Sequence, residues 1–500
     1  MPDILTLDVG TTALKAVIFD EAGRLRGRAE CEYQPDRPRP GWLELDPEVY
    51  WEAAAQAIRQ VREAAAPVEL CALGVTSQGE TLIVLDDRGR PLRPAIVWLD
   101  TRSDKEAREL EQALDPTAVY HRTGQSEIIP AWPATRIAWL RCNEPEVFQR
   151  AARYLLVADY LIYRLTGIMA SDRGLNPSTF YYDLTAGCWW DDMLERLGIT
   201  PAHLPDLVGP GGRAGQLTRA AARETGLPAG LPVISAPIDQ VCAAAGAGNI
   251  RPGVITENTG AALALAVTLD EPLFDPQRRM GLYAHALPGK YMLLPWAPTA
   301  GMALRWLRDE LGGGADYNAL CQSAATTPPG ADGLLMLPHF SGAGCPRVSP
   351  EARGVFWGLT LNHGRSHLVR ALLESVAFIL RGNLEMLDSL GVATGELHSL
   401  GGASRSDLWL QIKADVCRCD LLTMECSEAT SLGVALLAAV ATGVHPDHTT
   451  ATEAMVRQGR RVRHDPARSD VYDEVFERYR HLETAALEMF AGRMAKTPGG

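Results

Sequence analysis

Leu5-Thr6-Leu7-Asp8-Val9-Gly10-Thr11-Thr12-Ala13-Leu14-Lys15, almost at the N-terminus, is the stretch on which the fold of this chain turns. The alternating run over residues 4–9 predicts a buried strand, and Gly10 permits a tight turn directly after it. Backbone N–H groups of that turn, with the Thr11 and Thr12 hydroxyls, can wrap around phosphate oxygens, as concave runs of N–H groups do. Asp8, at the strand's end, stands where a magnesium ion bridging those phosphates needs an oxygen ligand. An ordinary hairpin is the competing reading, because residues 14–20 and 24–33 form two further strand patterns.

Outward from this turn, Pro35-Asp36-Arg37-Pro38-Arg39-Pro40-Gly41 reads as a loop. Asp46-Pro47 then opens a helix with an N-cap and a proline at the first helical position. Strand patterns at 71–76 and 82–85 complete a β-first α/β unit. A second β-rich start, Gly253-Val254-Ile255-Thr256-Glu257-Asn258-Thr259-Gly260, repeats the order of strand, small-residue turn and strand. Helices at 366–390, at 407–417 and after Thr430, with strands at 397–400 and 421–426, continue it. The halves read as distant copies of one plan, joined near residues 244–251, and a cleft between them is the expected ligand site. The tail, 491–500, is expected to be flexible.

Composition narrows the function classes. Hydrophobic residues make up 46% and charged residues 22% of the 500, the balance of a globular protein with two or three domains. A net charge of -13 argues against nucleic acid and anionic membrane as partners. No signal peptide is expected, because charged residues enter the strand pattern at Asp3 and Asp8. The uncharged run at 429–446 is too short and interrupted to span a bilayer, and reads as a buried helix. Ten cysteines without a regular framework point to free thiols and a cytoplasmic location.

Two further stretches carry chemistry. In Ile234-Ser235-Ala236-Pro237-Ile238-Asp239-Gln240-Val241-Cys242 an apolar strand is expected to end at Asp239, with a small-residue helix behind it. A carboxylate there can accept a proton from a hydroxyl attacking the terminal phosphate of ATP. The alternative is a plain helix N-cap. In Leu400-Gly401-Gly402-Ala403-Ser404-Arg405-Ser406-Asp407, glycines let a flat ring lie on the backbone, and Ser406 can bond a ring nitrogen. A simple strand-to-helix connection is the alternative.

With these three turns in order, the chain resembles the FGGY carbohydrate kinases of the actin-like ATPase superfamily, from Asp8 to about Gly443. Gly354-Val355-Phe356-Trp357-Gly358-Leu359, followed by His367-Leu368 and Ala371-Leu372-Leu373-Glu374, is similar to the family's C-terminal signature. Pro133-Ala134-Thr135-Arg136 is similar to the other signature, with Arg136 where the family usually has Lys. The resemblance implies an α/β fold of two ribonuclease-H-like domains flanking a catalytic cleft. Residues 1–247 would hold the sugar, the magnesium and one phosphate loop, and residues 248–490 the nucleotide. It implies Asp8 as the magnesium residue and Asp239 as catalytic base, with Gln240 beside the substrate. Gly10, Thr11, Thr12, Thr259 and Gly260 would hold phosphates. Gly301 and Arg305 match nucleotide-contacting positions, and Gly402 and Ser406 would face the adenosine. ATP, Mg2+ and a small sugar or polyol are the implied ligands, and a homodimer the implied assembly.

The substrate segment departs from the best-known members. Glycerol kinases carry Asn-Gln-Arg-Glu-Thr where this chain has Ser77-Gln78-Gly79-Glu80-Thr81, and their substrate tyrosine aligns with Ala131. Losing two large polar contacts leaves a three-carbon polyol loosely held, since such sites discriminate through hydroxyl bonds. Trp98-Leu99-Asp100-Thr101-Arg102 resembles a xylulose kinase run, although the Gln-Met-His-Gly segment of those enzymes is absent. Gln78, Glu80 and Asp100 are the expected acceptor residues, with Arg102 open between an acceptor contact and a local ion pair. The expected substrate is a pentulose such as D-xylulose. Glycerol or a tetritol within the family, and outside it an actin-like ATPase or a sugar-binding regulator without kinase activity, are the alternatives.

Overall fold

The opening strand, Asp3–Val9, is buried along almost its whole length in this computed structural model. It pairs antiparallel with Ala13–Phe19 on one edge and parallel with Leu70–Ser77 on the other. A strand paired and covered on both sides must be apolar nearly throughout, which is what Ile4, Leu5, Leu7 and Val9 provide. The structure describes residues 2–494.

By contacts the chain forms two compact units. The first comprises Met1–Ile250, Leu269–Met292 and Glu428–Val456; the second comprises Arg251–Thr268, Leu293–Ser427 and Arg457–Gly500. In the first, the sheet order is Arg213–Gln216, Pro232–Ser235, Leu70–Ser77, Asp3–Val9, Ala13–Phe19, Leu25–Glu32. In the second, Gln458–Val462, Leu421–Met424, Thr394–Leu400, Gly253–Thr259 and Leu263–Leu269 follow one another in the same sense. Each set contains an antiparallel hairpin, two parallel strands and an antiparallel edge strand, with Leu25–Glu32 added beside the first hairpin, so the duplicated plan read in the sequence is present in both sheets.

Local signals act as read. The Asp46 carboxylate accepts the Glu48 N–H at 2.9 Å and caps the helix Pro47–Ala65. The helices Arg365–Ser389, Asp407–Cys417 and Ala429–Ala441 stand where apolar periodicity placed them. The boundary that matters most for the site differs: the strand before Asp239 ends at Ser235, because Pro237 lacks an N–H to continue a ladder. Of the expected flexible tail, residues 491–494 complete the helix Pro466–Met494, and the remainder lies outside the described residues.

The small residues behind Asp239 have a packing reason. Helix Asp239–Gly246 crosses Ala429–Ala441 at backbone contact: a methyl on Gly246 would overlap the Ala429 carbonyl, and one on Gly433 would overlap the Cys242 carbonyl. Among the described residues no helix is long and apolar enough to cross a membrane. None of the ten cysteines, all among the described residues, is joined in a disulfide.

Candidate active site

The turn after the first strand closes when the Gly10 N–H donates to the Ala13 carbonyl at 2.9 Å. The Tyr33 hydroxyl braces it from behind, donating to the Gly10 carbonyl at 2.6 Å. Thr12 projects outward, whereas Thr11 is tied to its neighbours. Its hydroxyl donates to Gln78 Oε1 at 2.8 Å and accepts the Trp98 Nε1–H at 2.8 Å. The Gln78 amide in turn donates to the Thr81 hydroxyl at 3.2 Å. Two residues expected on different ligands, Thr11 and Gln78, therefore hold each other.

Beside this turn three acids gather. Asp8 lies opposite Lys15 and Thr76 in the sheet register. Burial pushes its carboxyl up to about 6, with Lys15 opposing and Glu428, itself 3.2 Å from Lys15, adding to the rise. Asp239 is the first residue of its helix rather than the cap, and its own oxygen accepts the Gln240 N–H at 2.6 Å. Burial, then repulsion by Asp8 and Glu80, push Asp239 up to about 8 against that hydrogen bond. Glu80 is raised by burial, with the Ser178 hydroxyl and Arg136 opposing. It sits at φ 57°, a left-handed backbone unusual for a glutamate and of the kind stored at binding sites.

Arg136, read in the sequence only as a charge-keeping replacement, holds this region together. Its side chain is fully buried and donates to the carbonyls of Glu80 at 2.6 Å, Trp98 at 2.8 Å, Ile96 at 3.2 Å and Asp100 at 3.4 Å. A planar fork serves several carbonyls where an ammonium cannot. Only the Arg-for-Lys exchange in that signature pointed to this role. Asp100 is occupied differently from the expectation. Its oxygens accept the Leu43 N–H at 2.5 Å and both prongs of Arg102 at 2.9 and 2.7 Å. Arg102 also reaches Glu44 at 2.7 Å and lies over the Trp42 ring, so it is the local ion pair of the two readings weighed for it.

In the second unit, Gly260 and Gly301 meet: the Gly301 N–H donates to the Gly260 carbonyl at 3.0 Å, and a Cβ on Gly301 would overlap that oxygen. A Cβ on Gly260 itself would meet open space, as would one on Gly402. Gly401, not Gly402, is the glycine that close approach requires, with φ +78° and the Thr259 carbonyl 2.7 Å from a built Cβ. The Ser406 hydroxyl caps the next helix, accepting the Trp409 N–H at 3.3 Å. Arg305 is exposed, 3.7 Å from Asp309 on its own helix.

Sequence reading also missed Lys413. It is fully buried and donates to both Glu257 oxygens at 2.8 and 2.9 Å and to the Thr259 hydroxyl at 2.7 Å. Ser399 donates to the same Glu257. The Thr259 hydroxyl, donating to Glu257 at 2.7 Å, is thereby locked from below. An i+6 lysine inside an apolar helix was the available signal. Glu374, in the C-terminal signature, is likewise a buried hub, accepting Arg370 at 2.7 Å, Tyr472 at 2.8 Å and the Gly330 N–H at 3.0 Å.

Two sheets of one topology, each with a central strand ending in a threonine-bearing turn, and buried acids beside the first, define a two-domain α/β fold of duplicated plan. The solved xylulose kinase from Rhodospirillum rubrum superposes with a TM-score of 0.90 at 32% identity, covering 98% of this chain and 100% of that one. Profiles of the FGGY family of carbohydrate kinases match its N-terminal domain to residues 4–246 and its C-terminal domain to residues 258–442. The chain belongs to the FGGY family of carbohydrate kinases, and is an ATP-dependent sugar kinase. Among its relatives are a glycerol kinase of Bordetella parapertussis, 33% identical over 88% of this chain and 89% of that protein. A xylulose kinase of Escherichia coli K12 is 30% identical over 82% and 84%.

Proposed function

We propose that this enzyme transfers the terminal phosphoryl group of ATP to a primary hydroxyl of a pentulose, with D-xylulose the leading single acceptor and Asp239 the base. The observation that carries the reading is the Asp239 carboxyl itself. It opens a helix held at backbone contact, and burial and two neighbouring acids raise its proton affinity to about 8. In its ionised form this carboxylate accepts the acceptor's hydroxyl proton at Oδ as the oxygen attacks, while the enzyme mainly orients that oxygen. Gln240 and Glu80 stand beside it as acceptor residues, and Gly10 and Thr12 take phosphate oxygens. Gly260, Gly301, Arg305, Gly402 and Ser406 are the proposed nucleotide residues.

Magnesium fits the donor set. No group of three or more His, Cys, Asp or Glu that could hold a metal occurs among the described residues. Magnesium keeps its waters and the phosphates and needs only one or two protein carboxylates. Asp8, opposite Lys15 and Thr76 in the sheet register beside the Gly10 turn, is the carboxylate that would hold it. When bound, the ion neutralises charge on the transferring phosphates.

A pentulose is favoured over glycerol by Gly79. Gly79 supplies no polar group where glycerol kinases carry a triol-binding arginine, and a Cβ there would press on Ile238 Cδ1 at 2.7 Å and the Ser178 hydroxyl at 3.3 Å. The relatives include proteins named for both substrates. ADP release measured over pentuloses, hexuloses, tetritols, pentitols and glycerol decides it: a pentulose is expected to give the highest kcat/KM, and glycerol as best acceptor overturns the choice. With the best acceptor, Asp239→Asn retains ATP binding and loses roughly 100- to 10,000-fold in kcat. A homodimer in the cytoplasm completes the reading, and sedimentation of the purified chain tests the dimer.

A further inference from the structure

The segment Leu269–Met292 comes from the second half of the chain but belongs to the first compact unit. Its strand Gly281–Ala284 packs on the short turns Arg173–Leu175 and Pro177–Thr179. The Leu282 N–H donates to the Gly124 carbonyl at 2.7 Å. Gly124 has φ +77°, and a Cβ there would overlap the Leu282 carbonyl, so this approach requires a glycine. The approach brings two polar side chains together. The Tyr283 hydroxyl donates to Gln125 Oε1 at 3.3 Å, with Gly281 leaving room beside both.

Gln125 is only 4% exposed, and its Nε2 has no hydrogen-bond partner among the described residues. Turning the amide over exchanges the poles without removing the problem, since one of them still lacks a partner. A buried amide left unpaired is destabilising, and in a native structure it marks a place that something else completes. The surroundings say what. The turns that the Tyr283 strand covers lie against the acceptor segment: a Cβ on Gly79, next to the strained Glu80, would come 3.3 Å from the Ser178 hydroxyl and 2.7 Å from Ile238, the residue before the proposed base. Ser178, which eases the Glu80 charge, lies on one of the turns that the Tyr283 strand covers.

We propose that Gln125, oriented by Tyr283, reads an oxygen of the polyhydroxylated acceptor away from the carbon that is phosphorylated. The proposal rests on the sugar-phosphorylating reading of Asp239 and deepens it. Gln125 is the specificity residue and Tyr283 its positioning residue. A site built around such a buried donor rejects an analogue that lacks the matching oxygen far more strongly than an apolar pocket rejects a missing methylene. The acceptor class that fits is a ketose or polyol with hydroxyls beyond those of a three-carbon chain.

The test uses the full-length enzyme, steady-state ADP release, and the best acceptor from the screen with its singly deoxygenated analogues. Gln125→Glu keeps the size and removes the donor; it is expected to raise the acceptor KM about ten-fold or more while the ATP KM stays within about two-fold. Tyr283→Phe is expected to raise the acceptor KM several-fold with the same ATP KM. One deoxy analogue should bind equally weakly to the parent enzyme and to Gln125→Glu, and that analogue identifies the oxygen read. Unchanged acceptor KM in both variants, or an equal rise in both KM values, overturns the proposal. Should Gln125→Glu fail to fold, Tyr283→Phe alone decides by the same split. A parent enzyme that phosphorylates no sugar or polyol overturns the underlying acceptor reading instead, whatever the variants do.

Discussion

Arg136 shows how one side chain governs several loops at once. Four carbonyls from residues 80, 96, 98 and 100 converge on its guanidinium, and burial lowers its pKa to about 10 without depriving it of charge at neutral pH. Arg136→Met leaves those buried carbonyls without a donor, so about 3 kcal/mol or more of stability is expected to go, read from urea unfolding. Arg136→Lys restores the charge but not the fork and is expected to recover only part of the loss. A variant as stable as the parent would show that the carbonyls find other donors. Lys413 does comparable work under Thr259, where a fully buried ammonium and carboxylate fix a threonine that the sequence places in a phosphate turn.

At the scale of elements, the crossing of Asp239–Gly246 with Ala429–Ala441 sets the pose of the proposed base. Gly433→Ala drives a methyl into the Cys242 carbonyl, and separating the helices is expected to lose about 2 kcal/mol and to lower kcat with the ATP KM little changed. The segment carrying Tyr283 is pinned by His285, whose Nδ1 accepts the Leu287 N–H at 3.0 Å and whose Nε2 donates to the Asn249 carbonyl at 3.1 Å. Burial lowers this imidazole's pKa to about 4 from the usual 6.5. The unfolded chain therefore takes up a proton first as pH falls. The stabilisation is full above pH 6.5 and fades as pH drops towards 4. About 2 kcal/mol is expected to be lost between pH 7 and 5, and His285→Gln should abolish that part of the slope. An identical slope in the variant would assign the acid sensitivity to other groups.

For the whole molecule, the consequential feature is that the first compact unit is not contiguous. A fragment ending at Ile250 lacks Glu428–Val456 and so exposes the face of the central strands against which Val434 packs, including Gly74. Such a fragment is expected to be unfolded or aggregated by circular dichroism and limited proteolysis. A protease-resistant, monomeric fragment would show that the returning helix is dispensable. The ordering of the chain into two copies of one sheet plan also explains why each half repeats a threonine turn: the same hairpin ends the same central strand in both.

Much of this was legible in the sequence because it depends on near neighbours. Alternation made Asp3–Val9 a central strand, Asp46-Pro47 a helix start, and the Gly10 and Gly260 turns hairpins, since strand, cap and turn preferences act over a few residues. The family signatures lie in the same local stretches. What the sequence could not show depends on residues far apart in the chain meeting in space. Thr11 and Gln78 are 67 residues apart, Lys413 and Glu257 156, and Tyr283 and Gln125 158. Whether a carboxylate is spent, as Asp100 is on Arg102, or held proton-hungry, as Asp239 is among other acids, is a matter of burial and nearby charge. By itself the sequence determined the sheet plan, the turns and the kind of chemistry. Tertiary structure alone decided which polar groups are already paired and which are left for a ligand, because desolvation and Coulomb interactions are set by proximity in space and not by spacing along the chain.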